Sequence, residues 1–166
     1  MSATGSEAAG QSALLETIAQ QRATISELQT PVIQVWEGIL ALPIVGTVDT
    51  ARAQDMTEAL LERIVATGSE IVLLDITGVP VVDTAVARHL LETVTAARLL
   101  GADVLIVGLS SRTAMTLVQL GIDLSHVTTR ATLAKGLEFA FRRLGLTVVT
   151  QNGGARRSTD ADGATP

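Results

Sequence analysis

The sequence contains no cysteine and no tyrosine, and its only aromatic residues are Trp36, Phe139 and Phe141. Without cysteine there is no disulfide frame, thiolate metal site or thiol nucleophile, and the redox compartment is left undetermined. Few aromatics and a formal net charge of −5 remove both the stacking platforms and the cationic field that nucleic-acid binding requires. Nucleic acid is therefore not an expected partner. No stretch approaches the ~20 consecutive apolar residues of a membrane helix. The amino-terminal "MSATGSEAAGQSALLETIAQ" lacks the basic region and apolar run of a signal peptide. The expected location is the cytoplasm, with no membrane partner.

Catalytic parts are equally scarce. His89 and His126 are the only histidines and do not form a pair at helical ligand spacing; a surface or structural role is the better reading of each. There is no Gly-rich loop ending in Lys-Ser/Thr and no GxGxxG after the first strand. Asp75 and Asp83 could in principle serve as acid and base, but nothing suitable accompanies them. An enzyme is not expected, and neither a cofactor nor a metal is implied.

The chain does have enough apolar residues for one folded domain: 47% of its 166 residues are hydrophobic and 17% charged. Residues 1–11 are small and polar and are expected to be disordered. Residues 12–29 read as a linker helix in which Leu14, Ile18, Gln21, Ile25 and Leu28 recur at alternating spacings of four and three. That is the seam of a short coiled coil with one polar layer, or else an amphipathic helix lying on its own domain.

From residue 30 to about 144 strands and helices alternate. "VIQVWEG" and "ILALPIVG" read as two strands joined at Glu37-Gly38. In "DTARAQDMTEALLERIVATG", Ala53, Met56, Leu60, Ile64 and Val65 form one helical stripe, capped by Asp49 and ended by Gly68. "EIVLLDITG" is an apolar run of strand length, as expected for a strand covered on both faces. A helix follows with Val86, Leu90, Val94 and Ala97 on one side and Gly101 at its end. Strand "ADVLIVGL", helix "SRTAMTLVQLG", the short "HVTTR" and helix "TLAKGLEFAFRRLG" complete a mostly parallel sheet covered by helices. Residues 145–166 have the composition of a flexible tail.

One stretch carries the functional question. In "DITGVPVVDTAVARHL", a buried strand passes through Gly78 and Pro80 into Asp83-Thr84 at a helix start. Val-Asp-Thr-Ala also occurs at Val48 to Ala51, again opening a helix, and capping by Asp accounts for both copies. The second copy differs in its rigid Gly-Pro approach, which would present the Thr84 hydroxyl at a strand-to-helix corner.

Three segments, "TPVIQVWEGILALPIVGTVDTARAQ", "LLDITGVPVVDTAVARHLLETVTAARLLGADVLIVGLSSRTAMTLVQLGIDL" and "TTRATLAKGLEFAF", together resemble the carboxy-terminal STAS domain of the RsbR proteins of stressosomes, relatives of the anti-sigma factor antagonists. The resemblance runs from about Thr30 to about Arg142. It implies an α/β STAS fold, with a mostly parallel mixed sheet and a short coiled-coil-like helix ahead of it. It also implies a non-catalytic scaffold and switch, bound and phosphorylated by an RsbT-like serine/threonine kinase and assembled with RsbS-like STAS proteins as a homodimer and in higher-order particles. On that resemblance Thr84 is the phosphate acceptor, supported by Asp83, Pro80 and Gly78, and Thr116 in "SRTAMTLVQLG" matches a second site. Two features depart from the family pattern. About thirty residues stand where a sensory domain usually does, so signal input is expected either to come from elsewhere or to be absent, and "LSSRTAMT" replaces a more usual Pro-containing stretch before Thr116. Two other functions remain open at this point: a small-molecule or nucleotide sensor holding its ligand at the strand ends, and a free anti-sigma factor antagonist outside any large assembly.

Overall fold

A computed structural model describes residues 4–29 and 31–149 of the chain. The order of elements is α1 (Thr4–Gln29), β1 (Ile33–Trp36), β2 (Ile39–Val45), α2 (Thr50–Thr67), β3 (Ile71–Gly78), α3 (Thr84–Leu99), β4 (Asp103–Val107), α4 (Ser111–Gln119), β5 (Thr128–Arg130) and α5 (Leu133–Arg143). The strands form one sheet in sequence order. β1 and β2 are an antiparallel hairpin, with Gly38 at a φ of 81° in its turn, and β2 through β5 are parallel.

This order dictates the layering. Each parallel strand is added on the same side of the last, so right-handed crossovers place α2, α3 and α4 on one face of the sheet and leave the other for α5. Residues at even positions of the central strands (Leu40, Leu42, Val72, Leu74, Val104, Ile106) pack with Met56, Leu60, Leu90, Val94 and Leu117 of the crossover helices. The odd positions (Ile39, Ala41, Ile71, Leu73, Leu105, Val107) meet Ala140 and the flanking Leu137 and Phe141 of α5. The unbroken apolar runs of β2, β3 and β4 follow from this two-sided cover. α5 comes close to the sheet because Gly136 has no side chain: a Cβ there would lie 2.5 Å from Val107 Cγ1.

The helix ends follow their caps. Asp49, Asp83, Ser110 and Thr132 each accept a hydrogen bond from the backbone amide three residues on, and Gly68 closes α2 in the left-handed conformation. Two details differ from the sequence reading. Val65, assigned to the α2 stripe, is 70% exposed, because the stripe that meets the sheet and α3 is narrower than an ideal amphipathic face. α1 begins at Thr4, so residues 4–11, expected to be disordered, form its first turns; Ala8, Ala9 and Gln11 are good helix formers and extend the helix backwards. Residues 1–3 of that segment, and residues 150–166 of the expected tail, lie outside the described residues.

All side chains from Ser6 to Gln21 are exposed, Leu14 by 60%, Leu15 by 67% and Ile18 by 38%. Of the two readings of α1, a helix lying with its apolar side on the domain does not agree with this exposure. The side chains of Ile25 and Leu28 lie outside the described residues. Among the described residues, no helix is long and apolar enough to cross a membrane.

Candidate functional site

The corner between β3 and α3 is built by close backbone contact. Gly78, the last residue of β3, passes against the end of β2, where a Cβ would lie 2.9 Å from the Ile44 carbonyl oxygen and 3.0 Å from Val45 Cγ2. Its carbonyl accepts from the Gly46 amide at 2.9 Å. Beyond it, Val79 and Val82 are buried in the helix-side core while Pro80 and Val81 between them face solvent. Two buried valines around a fixed-φ proline hold the loop as part of the core rather than as a free connection. A side chain at position 78 would therefore clash with β2, and Pro80 spans the exposed side of the corner.

Asp83 has extended backbone (φ −94°, ψ −176°) and its Oδ1 accepts from the Val86 amide at 2.8 Å. Thr84 is thus the first residue of α3, exposed, at the positive end of the helix where the first amides lack intrahelical partners. Nothing among the described residues hydrogen-bonds its hydroxyl. Arg88 stands exposed four residues on, on the same side of the helix.

The other Val-Asp-Thr-Ala copy has the same frame with one difference. Asp49 caps α2 through its Oδ1 to the Arg52 amide at 2.8 Å, and Thr50 is exposed at the first helical position. The Thr50 hydroxyl, however, is hydrogen-bonded to His89 Nε2 of α3 at 3.3 Å. His89 is thereby a structural link between α2 and α3. The side chain of His126 is exposed, and its carbonyl accepts from the Arg98 guanidinium. Sequence reasoning could not find the Thr50–His89 contact, since the two residues are 39 apart in the chain and meet only once α2 and α3 pack side by side.

Thr116 lies elsewhere. It is half-buried in the second half of α4 and donates its hydroxyl to the Arg112 carbonyl at 3.0 Å, a bond internal to the helix. It shares neither the helix start nor the free hydroxyl of Thr84. Two carboxylates titrate low, both away from this corner. Ser125 hydrogen bonds hold Asp123 below its ordinary range, and hydrogen bonding to Lys135, aided by the charges of Lys135 and Arg142, does the same for Glu138. Among the described residues no group of three or more His, Cys, Asp or Glu side chains could hold a metal ion.

The corner thus presents an exposed threonine at the start of a helix of an α/β module. Residues 30–136 match the STAS domain, and the chain belongs to that family. It is related to the RsbR co-antagonists: the RsbT co-antagonist protein RsbRA of Bacillus subtilis is 48% identical over 125 residues, which make up 75% of this chain and 46% of RsbRA. The chain spans less than half the length of the RsbR proteins it matches. Among solved structures, a serine-to-glutamate variant of RsbS from Moorella thermoacetica superposes with a TM-score of 0.60 at 30% identity, covering 70% of this chain and 97% of RsbS. A chain of the stressosome, a signal integration and transduction hub, superposes with a TM-score of 0.57 at 28% identity, covering 70% of this chain and all of that one.

Proposed function

We propose that the chain is a non-catalytic switch subunit of a cytoplasmic stressosome-type assembly. In this reading Thr84 accepts phosphate from an RsbT-like kinase, and the STAS domain packs with RsbS-like neighbours. The observation that carries it is the Thr84 hydroxyl, exposed, unpartnered among the described residues and fixed at the first position of α3 by the Gly78–Asp83 corner. A kinase needs its acceptor oxygen free and held in one place, since misplacement by about 1 Å costs on the order of 100-fold in rate.

A phosphate on Thr84 would add about −1.5 to −2 charges beside the free amides of the α3 amino terminus, and Arg88, four residues on, offers a positive charge on the same side of the helix. The Asp83 carboxylate opposes it. The two effects offset one another within the fold, so modification changes the charge presented to partners more than the domain itself. Thr116 serves as a second acceptor, reached only after its bond to Arg112 is broken. α1 pairs with its counterpart in a second copy, burying Leu14, Ile18, Ile25 and Leu28, with Gln21 setting register.

Incubation with ATP and an RsbT-type kinase, followed by mass mapping, tests the central claim. Thr84 is expected to take up phosphate first, and Thr84→Ala to abolish that modification while the far-ultraviolet spectrum stays unchanged. Phosphate absent from Thr84 in the wild-type chain would return the Val-Val-Asp-Thr stretch to a helix cap.

A further inference from the structure

The start of α3 offers an anion on Thr84 less than a bare helix end would. Of its amides, that of Val86 donates to the Asp83 carboxylate at 2.8 Å and that of Ala87 to the Asp83 carbonyl at 2.9 Å. The capping carboxylate also stands one residue from Thr84, where it repels added negative charge. A phosphate on this hydroxyl therefore needs a cation from a side chain. Between Arg63 and Arg98 the sequence holds a single Lys or Arg, and that is Arg88.

Arg88 is placed and free for this role. It lies four residues beyond Thr84 on the same side of α3, a spacing that sets Cβ atoms about 5–6 Å apart. Helical side chains lean toward the amino terminus, so the stem of a residue at this spacing leans back toward Thr84. Glu92, four residues further on, would be the ordinary partner of Arg88, but its Oε2 lies 3.5 Å from His89 Nδ1 instead. Arg88 is exposed and has no ion pair or hydrogen bond among the described residues. The other Val-Asp-Thr-Ala copy does not share the arrangement, since the residue four beyond Thr50 is Gln54.

We infer that Arg88 is the counter-ion of the Thr84 switch: once phosphate is on Thr84, the guanidinium pairs with it through two N–H···O bonds and holds it along the first turns of α3. This rests on the reading of Thr84 as the acceptor. The pair alters two charges of the corner together. Before modification α3 presents a free guanidinium; afterwards that cation is drawn onto the phosphate, and an anion stands where the hydroxyl was. Phosphorylation thus removes a cation from the surface offered to partners as well as adding an anion, a larger change than the phosphate alone would make.

The second ionisation of the phosphate, at about pH 6 when unperturbed, reads the pair directly. A cation paired with the dianion lowers that midpoint, and the Asp83 carboxylate raises it. Phosphothreonine is installed at position 84 of the full chain during translation, which makes the result independent of any kinase. Phosphorus NMR then follows the titration in wild type, Arg88→Gln and Arg88→Lys, and thermal melts report that each chain is folded. Asp83, and His89 with its nitrogens toward Glu92 and Thr50, are common to all three chains, so the differences report position 88. Arg88→Gln is expected to raise the midpoint by roughly half a pH unit or more, and Arg88→Lys, which keeps the charge and loses the fork, to fall between the other two. Equal midpoints in wild type and Arg88→Gln overturn the pairing. So does an Arg88→Lys midpoint no lower than that of Arg88→Gln, which would make the shift a structural effect. The acceptor reading fails by a different result: kinase mapping that finds no phosphate on Thr84 overturns that reading and leaves the Arg88 pair standing.

Discussion

Gly108 and Thr77 meet where β3 and β4 end: a Cβ on Gly108 would lie 2.1 Å from Thr77 Oγ1 and 2.6 Å from its amide nitrogen. Thr77 is itself fixed, since Asp75 Oδ1 accepts from both its amide and its hydroxyl, at 2.9 and 2.6 Å. Gly108 also has a φ of 83°. The turn that delivers the chain toward Gly78 is thus locked against the end of the neighbouring strand, and the rigidity of the Thr84 corner begins two strands deep.

Gly108→Ala therefore combines a steric clash with an unfavourable backbone conformation. Gly145 separates the two contributions, since it has a φ of 73° and no atom within 4 Å of the place its Cβ would take. Gly145→Ala is expected to cost about 1 kcal/mol, from the backbone conformation alone. Gly108→Ala is expected to cost roughly 3 kcal/mol or more. Urea unfolding of both variants checks the difference; equal midpoints would mean that the contact to Thr77 relaxes freely.

The two helix caps give a second pair. Asp49→Ala and Asp83→Ala each remove one side-chain acceptor from a helix start and are expected to cost about 1 kcal/mol apiece. Thr84→Ala removes a hydroxyl with no partner among the described residues and is expected to stay within about 0.5 kcal/mol of wild type. Chemical denaturation under one set of conditions orders all three.

Much of this frame was legible in the sequence, because periodicity and caps are local. Both Asp caps, the Gly68 stop, the Glu37-Gly38 turn and the apolar face of α3 (Val86, Leu90, Val94, Ala97) all lie where the spacing places them. The burial of β3 on both faces follows from its unbroken apolar run. Distance in the chain made the rest illegible. Nothing near Thr50 announces His89, and nothing near Gly78 or Gly108 shows which backbone will press against it. Val65 misled because a helical stripe can be wider than the surface it meets.

Trp36 provides a reporter for the other face of the sheet. It is the sole tryptophan, about half-exposed on β1, and its ring stands edge-on to Phe141 of α5 with centroids 5.6 Å apart. Phe141→Ala should shift Trp36 emission to the red and cost about 1–3 kcal/mol, from lost burial and the ring pair. An unmoved spectrum would show that α5 does not shelter the indole.

The exposed apolar residues of α1 predict self-association. Ile18→Glu together with Ile25→Glu places charges at two seam positions and should convert a dimer to a monomer in sedimentation, while the STAS domain keeps its melting temperature. A sedimentation mass unchanged from wild type would remove α1 from the interface.

Thr84 and Thr116 should respond to negative charge with opposite sign, because they stand at opposite ends of their helices. Thr84 opens α3, where the helix dipole favours an anion by about 0.3–1 kcal/mol, and the neighbouring Asp83 takes back part of that gain. Thr84→Glu is therefore expected to leave stability within about 0.5 kcal/mol of wild type. Thr116 lies in the second half of the nine-residue α4 and gives its hydroxyl to Arg112. A carboxylate there faces the negative end of the dipole and breaks that internal bond, although Arg112, one turn back, offers a counter-charge. Thr116→Glu is expected to cost about 1 kcal/mol. The measurement is the shift in urea midpoint for each variant in low and in high salt, since a dipole effect is screened and a packing defect is not. If Thr116→Glu proves neutral in low salt, α4 tolerates charge at this position and the contrast between the two sites fails.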